Sequence, residues 1–170
     1  MKRIIAVCIF IVFSLTLGLR AGDKSELKWK SFDAGFAEAK KNKKKVMVDV
    51  YTDWCGWCKR LDKDTYSNEK VIDYLNHQYV VVKMNAESTS KVTYKDSSYT
   101  EATLSHVFGI TGYPTVIFFD ASGEPINSLG GYVNAERFLP IIQYIGGDYY
   151  KSMTWDEYQN NTKKVESKKD

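Results

Sequence analysis

Three stretches of the chain are almost continuously apolar and rich in β-branched or aromatic residues: Val46 to Thr52, Tyr79 to Met84 and Thr115 to Asp120. Runs of this length and composition predict strands buried on both faces. Elsewhere the apolar positions recur at helical spacing. Trp29, Phe32, Phe36 and Ala39 predict a helix over Asp33 to Asn42 with Ser31 as its N-cap. Cys55 to about Tyr66 reads as a second helix. Asn68 caps a third, through Glu69, Val71, Ile72 and Leu75. A fourth covers Glu101 to Phe108, with Leu104, Val107 and Phe108 facing inward.

After the third apolar run, Ala121-Ser122-Gly123-Glu124 is a turn and Ile126 to Leu129 the returning strand of a hairpin. Asn134 caps a closing helix carrying Phe138, Ile141, Ile142 and Ile145, in which Pro140 predicts a kink or a late start. Thr154 to Glu157 fits a capping box for one more short helix, with a frayed Lys-rich end after Asn160. Glu87 to Thr100 is polar and without apolar period, and reads as an exposed loop. Two strands separated by helix imply a right-handed parallel crossover between the first two apolar runs.

Residues 1–22 differ from the rest. Lys2 and Arg3 precede the uncharged apolar stretch Ile4 to Leu19, the pattern of a secretory signal; an uncleaved membrane anchor over residues 4–19 is the alternative. The expected division is therefore signal 1–22, one domain over 23–147, and a C-terminal helical extension with its tail over 148–170. The signal carries Lys2, Arg3 and Arg20, so the remainder holds 21 basic against 21 acidic residues. A neutral body with no basic stripe gives no reason to expect nucleic acid. Lys40, Lys41, Lys43, Lys44 and Lys45 end the first helix, where cations complement the dipole; a partner-binding patch is the other reading.

Chemistry concentrates at Trp54-Cys55-Gly56-Trp57-Cys58-Lys59, directly after the first apolar run. A strand running into a helix puts Cys55 at the helix N-terminus, where unpaired N–H groups and the dipole favour a thiolate. Cys58 follows one turn later, close enough to close a small disulfide ring. A stapling disulfide or half of a zinc site are the rival readings. Zinc needs a second ligand pair, and Cys8, His77 and His106 stand singly. Cys8 lies inside the signal, and neither His is given a role.

The order strand, Cys-x-x-Cys helix, strand, helix, Gly112-Tyr113-Pro114-Thr115, hairpin and closing helix resembles the thioredoxin fold from about Trp29 to Ile145. More narrowly, Val46 to Cys55 and Thr115 to Asp120 resemble the C-terminal periplasmic domain of DsbD-type thiol:disulfide interchange proteins. The resemblance implies an α/β fold with a central mixed sheet and helices on both faces. It implies Asp49 buried beneath the cysteine pair as a proton acceptor, and a second acid at Asp62. Pro114 is expected in a cis bond facing Cys55, with the Tyr113 backbone open to an extended substrate segment. The chain departs from the family's better-known forms in its Gly56-Trp57 dipeptide and in the length of the Glu87 to Thr100 segment.

The expected function is an exported thiol:disulfide oxidoreductase acting on protein disulfides. Cys55 is the attacking thiolate, Cys58 resolves the mixed disulfide, and Trp54 and Trp57 shape the rim. No cofactor is expected beyond the Cys55–Cys58 pair, and no metal. The partners are protein thiols or disulfides and an upstream redox partner, with the membrane involved only if the N-terminal segment stays attached. Trp57 brings no positive charge between the cysteines, which favours a reductant over an oxidant. The alternatives are a Cu(I)-binding chaperone using the two thiolates and a redox-inert peptide-binding module.

Overall fold

The computed structural model describes residues 26–166, so the expected signal falls outside the described residues. The first apolar run forms β1 (Lys45–Tyr51), which pairs in parallel with β2 (Tyr79–Asn85) and antiparallel with β5 (Thr115–Phe119). The hairpin return, β6 (Pro125–Gly130), completes a mixed sheet of order β2-β1-β5-β6. Outside β2, Lys30 forms one parallel bridge to Val82.

Alternation along the central strands divides the core into two layers. Val46, Val48 and Val50 point with Val82, Met84 and Phe119 toward α1 (Phe32–Asn42) and α4 (Glu101–Val107). Met47 points with Val81, Val116 and Phe118 toward α2 (Gly56–Asp64), α3 (Glu69–Gln78) and α5 (Ala135–Gly146). This is the expected thioredoxin arrangement of helices on both faces.

Several local expectations are corrected. Glu87 to Thr100 is not a loop throughout: β3 (Lys91–Tyr94) and β4 (Ser97–Thr100) form an antiparallel hairpin. Its apolar face consists of Val92, which is buried, its partner Tyr99, and Tyr94, whose ring packs against Phe108 at 5.1 Å. Lys95 and Asp96 take positive φ at the tip, where glycine or asparagine is the usual marker. Three packed side chains in a polar run leave too little pattern to read. Val107 points outward, 55% exposed, because α4 ends there and Phe108 turns back onto the core in its place.

Ser31 holds the N-cap position of α1 without a side-chain cap bond. Asn68 and Asn134 do cap their helices, Asn68 Oδ1 accepting from Lys70 and Val71 and Asn134 Oδ1 from Arg137. Pro140 sits inside α5 without delaying its start at Ala135. The capping box is formed, with the Thr154 N–H and hydroxyl donating to Glu157 Oε2. The helix it opens, α6 (Trp155–Glu166), runs past Asn160 rather than fraying there. It is held to α5 by Tyr144, whose ring meets Trp155 at 5.3 Å and Tyr158 at 5.2 Å. His77 does have a partner, its Nδ1 lying 2.7 Å from the Asp73 carbonyl oxygen.

Candidate active site

The topology brings four chain segments to one end of the sheet. β1 and β2 run in parallel and end there; β5 runs the other way and begins there, and β6 ends there. The segments after β1, β2 and β6 and before β5 carry Cys55, Glu87, Tyr132 and Pro114 respectively.

Cys55 is the N-cap of α2, tied back by its N–H donating to Thr52 O at 3.2 Å. Its Sγ accepts the Cys58 N–H at 3.0 Å and is bonded to Cys58 Sγ, with the Cα atoms 5.3 Å apart. A sulfur at a helix N-cap that accepts a backbone N–H is placed to be stabilised as a thiolate when the bond opens. Exposure does not separate the two cysteines in this disulfide form: Cys55 is 4% exposed and Cys58 3%. The asymmetry expected between them comes from helix position rather than from burial. Lys59 is exposed on α2.

Asp49, 1% exposed, lies on the face of β1 that turns toward α2. Its register partner on β2 is Lys83, and side chains opposite each other in parallel strands share a face. Lys83 Nζ stands 2.6 Å from Asp49 Oδ2 and 2.5 Å from Asp62 Oδ1, with the rings of Trp29, Tyr51 and Tyr66 at 4.8, 5.2 and 5.4 Å. Burial pushes the Asp49 carboxyl above the ordinary carboxylate range, and the Lys83 charge pulls it only part of the way back. Burial works against the Lys83 charge too, but Asp49 and Asp62 outweigh it and hold the ammonium above its usual range. Both expected acids thus meet one cation. A surface cavity lined by Glu26, Trp29, Asp62, Tyr66, Glu69 and Lys83 gives that cation a solvent side.

Trp54 and Trp57 are 67% and 55% exposed. Trp54 Nε1 donates to Glu87 Oε1 at 2.8 Å, and its ring meets Tyr113 edge to face at 6.0 Å. Trp57 packs on Tyr132 at 5.6 Å. Arg60 lies over both of those rings, 5.4 and 5.1 Å from their centres. Asp64 Oδ2 accepts from Arg60 Nε at 3.1 Å and from Tyr132 Oη at 3.2 Å. The Tyr113–Pro114 bond is cis, and Pro114 O accepts the Gly131 N–H at 2.7 Å, locking this loop to the end of β6.

Sequence reasoning had not singled out Lys83, Glu87, Arg60 or Tyr132. Lys83 alone carried a signal: it is a charge inside an apolar strand, as Asp49 is. Among the described residues, no group of three or more His, Cys, Asp or Glu is placed to hold a metal ion. No described helix is long and apolar enough to cross a membrane.

Comparison with known proteins finds relatives that share this fold. Thiol:disulfide interchange protein DsbD of Pseudoalteromonas atlantica is 34% identical over 109 residues, which cover 63% of this chain but 17% of that protein. The solution structure of a putative disulphide-isomerase from Bacteroides thetaiotaomicron matches with a TM-score of 0.57 at 30% identity, over 75% of this chain and 94% of that one. The oxidised C-terminal domain of DsbD from Neisseria meningitidis shares the fold, with a TM-score of 0.50 at 23% identity over 65% of this chain and 88% of that one. The family model for the thioredoxin-like domain matches residues 32–146. With that match spanning the sheet, α1 to α5 and the cysteine pair, the chain belongs to the thioredoxin-like family.

Proposed function

We propose that this thioredoxin-like oxidoreductase is exported and works as a reductant of protein disulfides, with Cys55 attacking and Cys58 resolving. The observation that carries the reading is the disulfide between a helix N-cap cysteine and the cysteine one turn on, with a buried carboxylate on the strand that leads into that helix. In the reduced protein the Cys55 thiolate attacks one sulfur of a substrate disulfide, forming a mixed disulfide and expelling the other substrate sulfur as a thiolate that takes up a proton. Cys58 then gives its proton to Asp49 and attacks Cys55 Sγ. The Cys55–Cys58 bond forms and the second substrate sulfur leaves as a thiol. Two electrons pass to the substrate, and an upstream dithiol restores the pair. A carboxyl held above its usual range by burial is suited to accept that proton near neutral pH, and Asp62 acts through the Lys83 they share.

The loop at Tyr113 and Pro114 lies at the same end of the sheet, and an extended substrate segment adds to its backbone as a short strand. Export rests on the residue 1–22 pattern, with attachment through residues 4–19 as the form it takes if that segment is retained. Residues 23–147 are the working domain and 148–170 its extension.

Cys58→Ser, expressed in the exporting cell, is expected to accumulate mixed disulfides through Cys55 that dissolve in dithiothreitol. Failure to trap any protein partner contradicts the assigned roles. Copper titration of the reduced protein beside an insulin-reduction assay separates the Cu(I)-chaperone reading: tight 1:1 binding without insulin reduction favours the chaperone.

A further inference from the structure

The two exposed indoles beside the disulfide are held, each from two directions. Surface side chains without partners distribute over several rotamers. Here Glu87 and Tyr113 fix Trp54, while Tyr132 and the Arg60–Asp64 pair fix Trp57. Glu87 follows β2 and Tyr132 follows β6, the two outer strands of the sheet. The two indoles, one just before Cys55 and one just before Cys58, are therefore tied to loops that follow opposite edge strands of the sheet.

Resting on the reductase reading, we infer that these indoles select protein disulfides whose cysteine is flanked, in an extended segment, by aromatic or large aliphatic residues. Glu87, Arg60, Asp64 and Tyr132 act as positioning residues that keep the indoles in place. Rings already fixed in the free protein lose little side-chain entropy when a ligand side chain packs on them, so the contact is kept as affinity. The charges add discrimination. Asp64 is ion-paired with Arg60, whereas the exposed Glu87 carboxylate accepts from the neutral Trp54 N–H. Acidic residues next to the substrate cysteine are therefore disfavoured.

The test uses the reduced full chain and three disulfide-bonded peptides differing only beside the cysteine: Trp and Leu, Gly, or Asp. The wild type is expected to show a kcat/KM for the apolar peptide at least about tenfold above the Gly peptide, the worth of one good apolar contact, with the Asp peptide lowest. Tyr132→Ala and Glu87→Ala each bring the apolar-to-Gly ratio toward one. Glu87→Gln keeps an acceptor for the indole N–H and retains the ratio. Both peptides are read on the same preparation, so a lowered folded fraction cancels. Equal kcat/KM for apolar and Gly peptides in the wild type, or a ratio unchanged in both alanine variants, overturns the inference. If the wild type reduces none of the peptides, the reductase reading itself fails and this inference with it.

Discussion

At the scale of single residues, the account turns on Asp49 and the cation opposite it. Asp49→Asn is expected to slow the resolving step about a hundredfold near neutral pH, the usual worth of a positioned base, measured as the decay of a Cys55 mixed disulfide. The pH profile of that decay is expected to lose the limb that tracks Asp49 ionisation. Lys83→Met removes the charge that lowers the Asp49 pKa, so in that variant the limb moves to higher pH. The sign for stability follows from the same shift. Asp49 holds its proton more tightly folded than unfolded, so its contribution is full below 3.8 and is lost as pH rises through its raised folded value. Asp49→Asn therefore flattens that decline in a series of urea midpoints. The sequence showed a charge inside an apolar strand and, by resemblance, its place under the cysteines. It did not show that Lys83 joins Asp49 to Asp62, because that contact depends on strand register and on how α2 lies across the sheet.

At the scale of elements, helices and strands with a strong period were legible and the weakly patterned ones were not. The strands β1, β2 and β5 follow from runs of apolar, largely β-branched or aromatic residues, and α3 and α5 from their Asn caps. The β3–β4 hairpin was hidden because only Val92, Tyr94 and Tyr99 pack toward the core, in a stretch otherwise polar. The inward reading of Val107 failed for a related reason: spacing alone cannot say where a seven-residue helix stops. The consequence is measurable by urea unfolding. Leu104→Ala, at a fully buried site, is expected to cost about 2–5 kcal/mol, whereas Val107→Ala stays within about 0.5 kcal/mol. Asn68→Ala removes the acceptor shared by two N–H groups at the start of α3 and is expected to cost about 1 kcal/mol.

At the scale of the whole molecule, one end of a mixed sheet gathers the disulfide, the cis loop and two fixed indoles, with a buried carboxylate on the strand that leads to them. The cysteine pair and its loop were visible in the sequence as motifs. The supports of the indoles were not, since Glu87 and Tyr132 belong to loops distant in the chain that meet the indoles only once the outer strands are in place. No positive side chain among these contacts sits between the two sulfurs to stabilise the reduced form, and the dipeptide Gly56-Trp57 supplies none. The central claim, that the pair donates electrons, is therefore tested most directly by its reduction potential, measured by equilibrating the purified protein with glutathione. The account predicts a value roughly below −200 mV, toward that of thioredoxin. A value near that of a strong oxidant, about −120 mV, contradicts it.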